Sequence, residues 1–332
     1  MKNGYDIKES PLFWPARLHN GVLYVLDETL IPAKKHYIRV RTTEEAVRVI
    51  RQMKTRAFGQ FLVVLNAFLL DIKKTGRLSD EQLFKKLEKT AKALNESRPT
   101  FPFAEVTAIV LHWGRTALAE KADLRGYVEQ HLLGYLAGIR SRRLDRVVRI
   151  SKVIKNGDSV LTHCNVSGEL AMAAYLCKQQ RKDVQFYATE TRPYLQGAKL
   201  TCWELELMGA KVTLVADNAV GSLMSEGLVN KVIVGSDRNC ANGDFANKIG
   251  TYQIAVLAKE FTIPFYVLTQ PSNKIKSGKD IPIEIRDPKE LLTFAGKDIV
   301  PRRIKGSVKG LYPGFDVIPN KYITESIAIN VN

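Results

Sequence analysis

Ser159-Val160-Leu161-Thr162-His163-Cys164-Asn165 is a short apolar run that ends in a thiol. Lys231-Val232-Ile233-Val234-Gly235-Ser236-Asp237 has the same form and ends in a carboxylate. Each run reads as a buried strand. In open α/β sheets the residues just past the carboxyl ends of strands face the ligand crevice. A thiol and a carboxylate at two such ends can act on one bound molecule from two sides, so the chain reads as an enzyme for a small substrate.

The surrounding texture agrees. After about residue 150, strand patterns at 159–163, 184–188, 212–216, 231–235 and 264–268 alternate with amphipathic stretches such as 167–180 and 196–208. That alternation predicts a parallel sheet with crossover helices. Before it, Val22 to Asp27 and Tyr37 to Val40 read as two strands around a turn at Pro32, a short β-hairpin. Helical patterns follow from Thr43 to Met53 and at 59–74, 79–95, 102–119 and 123–149. The expected architecture is α/β: a Rossmann-like, doubly wound parallel sheet domain over 150–332. A smaller, mostly helical N-terminal domain with the hairpin precedes it over 1–149.

The chain has 332 residues, 45% apolar and 25% charged, an ordinary composition for a globular protein. No run approaches the ~18 consecutive apolar residues of a membrane span. The first fifteen residues lack the basic start and apolar core of a secretory leader. Cys164, Cys177, Cys202 and Cys240 show no paired spacing, so neither a disulfide framework nor a metal site is indicated. A cytoplasmic protein with reduced thiols is expected. The net charge of +16 is spread along the chain. It reads as solvated surface that also steers a phosphorylated metabolite, and nucleic-acid binding rests on charge alone. Neither GxxxxGK[ST] nor GxGxxG after a strand occurs, so no nucleotide phosphate cradle is predicted.

Around the two strand ends, Asn247-Lys248-Ile249-Gly250-Thr251 precedes an apolar helical run, and Lys248 near a helix start makes an anion site. Glu190-Thr191-Arg192-Pro193 follows a third strand. Asp244 sits in an Asn-Gly-Asp turn and reads as structural. A helix beginning near Ser167 would lower the Cys164 thiol pKa. Cys177, Cys202 and Cys240 read as small buried apolar residues.

Taken in order, Leu161-Thr162-His163-Cys164-Asn165, Glu190 to Ala198 (ETRPYLQGA), Gly235-Ser236-Asp237-Arg238, Asn242-Gly243-Asp244 and Asn247 to Thr251 closely resemble the S-methyl-5-thioribose-1-phosphate isomerase family. These aldose-1-phosphate isomerases share a fold with the alpha, beta and delta subunits of initiation factor 2B. Leu26-Asp27-Glu28-Thr29-Leu30-Ile31-Pro32 and Ser277 to Glu284 (SGKDIPIE) are similar to segments of the methylthioribose branch. Tyr312-Pro313-Gly314-Phe315-Asp316-Val317 resembles its NPAFDVTP segment.

The resemblance implies that Cys164 and Asp237 are the catalytic pair. It implies that Arg56, Arg98, Gln196, Asn247 and Lys248 hold the phosphate and sugar hydroxyls. It implies an aldose–ketose isomerase of the methionine salvage type, a homodimer with a phosphosugar substrate and no metal or organic cofactor. Asp237 must then be a neutral acid, which an apolar pocket supplies. The chain departs from the family at Arg56-Ala57-Phe58-Gly59, where a Gly-Ala-Pro is lost, and at Phe101-Pro102-Phe103. Phe58 is expected to reshape the pocket at the phosphate or at the sugar's C5 end. The C5 substituent stays open between S-methyl-5-thioribose 1-phosphate and 5-deoxyribose 1-phosphate. Ribose-1,5-bisphosphate isomerase and a non-catalytic initiation factor 2B-like subunit are the alternatives.

Overall fold

Strand β4 (Ser159–Thr162) and strand β7 (Lys231–Gly235) lie side by side, parallel, with Leu161 opposite Val232. They are the centre of a six-stranded sheet with β5 (Gln185–Thr189), β6 (Lys211–Val215), β10 (Phe265–Leu268) and β14 (Glu325–Ser326). Its order is β14-β10-β7-β4-β5-β6. Every pairing in it is parallel. The chain runs from β4 outward through β5 and β6, then returns to the other side of β4 with β7. The winding direction therefore reverses between β4 and β7, the position where α/β sheets open a crevice.

The computed structural model describes residues 7–76, 78–99, 101–270, 274–301 and 306–329. Residues 1–6, on which the leader reading partly falls, lie outside these. Among the described residues no helix is long and apolar enough to cross a membrane.

The chain forms two compact units, Pro11–Ser141 and Arg142–Asn332, the second joined by the N-terminal segment before Pro11. The changeover lies inside helix α5 (Leu124–Val153), whereas the sequence reading divides the chain at 149/150.

In the first unit β1 (Ala16–His19), β2 (Val22–Leu26) and β3 (Tyr37–Val40) form an antiparallel sheet in that order. The hairpin expected from sequence is thus a three-stranded meander. Its extra turn is Asn20-Gly21, with φ of +48° and +70°, the two-residue geometry that Asn-Gly favours. Helices α1 (Thr43–Arg51), α2 (Ala57–Lys74), α3 (Asp80–Asn95) and α4 (Phe103–Ala119) follow. Thr42 caps α1, and Ser79 with Gln82 forms a capping box on α3. α2 is buried on nearly every face, as expected of a helix apolar all round. Leu62, Val63, Leu65 and Phe68 anchor that unit's core.

In the second unit α6 (Glu169–Gln179), α7 (Cys202–Leu207), α8 (Val220–Ser225) and α9 (Thr251–Glu260) are interleaved with the sheet. α7 is preceded by a π-helical turn, Gly197–Thr201. Leu161, Val232, Val234, Phe245, Phe265 and Val267 are fully buried and pack as one cluster. β8 (Arg238–Asn239), β9 (Phe245–Lys248) and β13 (Phe315–Ile318) form a second sheet in the order β13-β9-β8, which was not expected from sequence. β11 (Thr293–Phe294) pairs with β12 (Lys297–Asp298).

Candidate active site

Cys164 lies just past the end of β4 and is 8% exposed. Its φ is +62°, a left-handed conformation uncommon for a residue with a side chain and often found at functional sites. Three neighbours hold it there. Its N–H donates to Thr191 Oγ1 at 3.0 Å, and its carbonyl accepts from the Thr201 hydroxyl. Asn165 Nδ2 donates to Thr201 Oγ1 at 3.0 Å and to Glu204 Oε1 at 2.6 Å. Helix α6 begins at Glu169 with Gly168 as N-cap, later than the Ser167 start expected from sequence, so Cys164 sits in the turn before the helix.

His163, its neighbour, is 2% exposed and fully engaged. Nε2 lies 2.8 Å from the Ile249 carbonyl and Nδ1 lies 2.6 Å from Thr189 Oγ1. A carbonyl only accepts, so Nε2 carries the proton and Nδ1 accepts from the threonine. Burial holds this imidazole below its ordinary pKa, against the raising effect of the Ile249 bond. It is a neutral brace between β4, β5 and the turn after β9.

Asp237 lies just past the end of β7, and its N–H donates to the Ala246 carbonyl at 2.8 Å. β8 pairs Arg238 with Ala246, so the same register places Asp237 level with Asn247. Neighbouring strands lie about 4.8 Å apart, and Cys164 and Asp237 thus share one edge of the sheet at the reversal point. The apolar pocket expected around Asp237 is not there: the residue is exposed. The chain leaves β7 directly into β8, the edge strand of the second sheet, which carries Asp237 to the rim.

Asn247 and Lys248 close β9. Asn247 Nδ2 donates to Thr251 Oγ1 at 3.0 Å. Lys248 is 9% exposed, with Nζ 4.7 Å from the centre of the Phe315 ring. Among the described residues it makes no ion pair. A buried ammonium without a carboxylate is costly and calls for an anion. The other half of the expected anion site is corrected by the structure. Asp316 Oδ2 already accepts from Gly250 N at 2.7 Å and Tyr252 N at 2.9 Å, so a carboxylate of the chain caps the start of α9.

Gln196 precedes the π-helical turn, and its Oε1 is buried without a hydrogen-bond partner among the described residues. The following Gly197 is set by close approach. A Cβ there would lie 1.7 Å from the Thr189 carbonyl oxygen. Gly197→Ala must displace backbone beside the Thr191 that holds Cys164, and a loss of about 1–3 kcal/mol is expected. A denaturant midpoint equal to wild type would contradict this packing.

Arg56 and Arg98 belong to the first unit, where they converge on the start of α2. Arg56 Nε donates to Glu28 Oε2 at 2.6 Å, and Thr55 Oγ1 donates to Glu28 Oε1 at 2.5 Å. Arg98 Nη1 donates to Gln60 Oε1 at 3.0 Å, and Gln60 Nε2 donates to the Thr55 carbonyl at 2.9 Å. Arg98 also lies 4.9 Å from the Phe101 ring centre. Glu28 and Gln60 orient the arginines, a role not expected from sequence. Phe58 packs edge-on to Trp14 at 5.7 Å and stacks on Phe61 at 6.1 Å.

The remaining residues behave structurally. None of the four cysteines forms a disulfide. Burial pushes the thiols of Cys177 (to about 11), Cys202 and Cys240 up, which leaves them protonated near neutral pH. Asp244 pins the second sheet by accepting from Gly278 N at 3.0 Å and Asn320 N at 2.9 Å.

The chain matches the Initiation factor 2 subunit family over residues 60–328. Methylthioribose-1-phosphate isomerase of Acetivibrio thermocellus is 36% identical, over 94% of this chain and 94% of its own. The crystal structure of 5-methylthioribose 1-phosphate isomerase from Pyrococcus horikoshii OT3 matches with a TM-score of 0.85 at 30% identity. It covers 98% of this chain and 94% of that one. Translation initiation factor eIF-2B, subunit delta, from A. fulgidus gives 0.79 at 31% identity, over 95% of this chain and 94% of that one.

Proposed function

The chain belongs to the initiation factor 2 subunit family, within its methylthioribose-1-phosphate isomerases, and on that premise we propose that it converts a 5-substituted aldose 1-phosphate to the ketose 1-phosphate. The substrate is S-methyl-5-thioribose 1-phosphate or its 5-deoxyribose counterpart. The observation that carries this reading is the reversal point between β4 and β7, with a thiol and a carboxylate just past the two strand ends.

A sugar 1-phosphate is a locked acetal and does not open on its own. Asp237 gives a proton to the ring oxygen, and the bond from that oxygen to C1 breaks. Hydrogen then moves from C2 to C1 beside Cys164. The C2 hydroxyl loses its proton and becomes the carbonyl, which restores the enzyme's proton count. Asp237 is exposed in the free protein; a sugar bound over it removes water and favours the neutral carboxyl.

The family resemblance gives the phosphate to Arg56, Arg98 and Lys248, and the sugar hydroxyls to Gln196 and Asn247. Lys248, buried without an ion pair among the described residues, supports its share of that assignment. Binding energy from a non-reacting phosphate then orients the reacting carbons. The reading includes a homodimer, checked by a light-scattering mass of two chains.

A panel of pentose 1-phosphates varied only at C5 tests the substrate class. The methylthio and deoxy members should exceed ribose 1,5-bisphosphate in kcat/KM by on the order of 100-fold, because a site that takes an apolar C5 group does not balance the charge of a second phosphate. A preference for the bisphosphate would overturn the substrate assignment.

A further inference from the structure

Tyr312 is 3% exposed, yet its hydroxyl is buried with no hydrogen-bond partner among the described residues. Leaving such a group unpaired is unfavourable, so a buried phenol in this state is free to take a partner from a bound ligand. Its place in the fold says which. The Tyr312 carbonyl accepts from Arg286 N at 2.8 Å. Two residues on, the Gly314 carbonyl accepts from Ile249 N at 3.2 Å, and Phe315 then pairs with Lys248 in the β13–β9 ladder.

The Arg286 side chain is hydrogen-bonded to Tyr194 Oη, and its Nη2 lies 2.7 Å from Glu290 Oε1. Tyr194 belongs to the loop after β5. That loop also supplies Thr191, which holds the Cys164 N–H, and Gln196, whose Oε1 is another buried atom with no hydrogen-bond partner among the described residues. Glu290, Arg286, Tyr194 and Cys164 all lie within electrostatic reach of the phenol. Burial first, and then Glu290, raises its pKa, so it stays a protonated donor near neutral pH.

We propose that the Tyr312 hydroxyl donates to a hydroxyl of the bound sugar beside Cys164, making Tyr312 a substrate-binding residue that helps set specificity. Tyr312 offers an unspent donor and Gln196 an unspent acceptor, and a sugar hydroxyl can satisfy either kind of group. The position aligns with the asparagine of the NPAFDVTP segment, so this chain puts a longer side chain there, with a single hydroxyl in place of an amide. The inference rests on the isomerase reading.

Tyr312→Phe removes the one oxygen and keeps the ring. With S-methyl-5-thioribose 1-phosphate, KM should rise about 10-fold while kcat changes less than about 3-fold, the mark of lost ground-state binding. The melting temperature of the free variant should equal or exceed that of wild type, because an unpaired buried hydroxyl has gone. The rise in melting temperature produced by substrate should shrink. Wild-type KM in an active Tyr312→Phe enzyme would overturn this inference alone, as would a fall in free-protein melting temperature with KM unchanged, which marks a hydroxyl satisfied inside the protein. A wild-type chain inactive on every pentose 1-phosphate would overturn both the inference and the isomerase reading.

Discussion

Replacing Cys164 by serine should lower kcat by about 1,000-fold or more, within the range that a positioned acid–base group contributes. The substitution exchanges only sulfur for oxygen. The backbone hydrogen bonds of residue 164 to Thr191 and Thr201 do not involve the sulfur and survive the exchange. Asp237→Asn should act alike: it keeps the shape and removes the proton that opens the ring. Both variants should keep wild-type melting behaviour and bind substrate, since neither residue is assigned to the phosphate. Substantial turnover by either variant removes that residue from the chemistry. Loss of activity together with loss of fold would mean that the residue is structural.

The largest expected stability effect is at Glu169. This carboxylate, 1% exposed, opens α6 and lies 2.5 Å from both Arg143 Nε and Arg146 Nε. Arg143 in turn donates to the Ser167 carbonyl at 2.7 Å and Arg146 to the Thr269 carbonyl at 2.7 Å. The cluster therefore ties α5 and α6 to the turn that carries Cys164. Glu169→Ala removes the carboxylate that two buried guanidinium groups share and should cost about 3–5 kcal/mol. A denaturant midpoint near wild type would contradict it.

Burial works to raise the Glu169 pKa, but Arg146 and Arg143 outweigh it, and the carboxyl is held below its ordinary value of 4.5. A depressed carboxyl stabilises the fold fully above its unfolded pKa. That contribution is lost as pH falls through the folded value. Acid unfolding of wild type should therefore include a proton uptake below about pH 4.5 that Glu169→Gln lacks.

These residues differ in how far they could be read in advance. The ends of β4 and β7 were legible because strands buried on both faces are continuous apolar runs, and the residues just past their carboxyl ends face the crevice. β1 was missed although Asn20-Gly21 marks its hairpin. β8 and β9 were not legible. Arg238–Asn239 is too short and polar to show a period, and Phe245–Lys248 pairs with Phe315–Ile318, far along the chain. With that pairing hidden, so was the carboxylate of Asp316 at the start of α9, and Lys248 read as part of a helix-end site. The exposure of Asp237 follows from the same unseen edge strand. The unpartnered hydroxyl of Tyr312 is a property of packing alone, and no spacing in the sequence announces it.

Cys164 and Asp237 are assigned to act together on one sugar 1-phosphate. The most direct test is ¹³C NMR of the purified chain with S-methyl-5-thioribose 1-phosphate labelled at C1. The anomeric C1 signal should give way to a phosphorylated CH₂ beside a ketone, in wild type and in neither Cys164→Ser nor Asp237→Asn. An anomeric signal that persists with wild type, or that converts equally with all three proteins, would contradict the account.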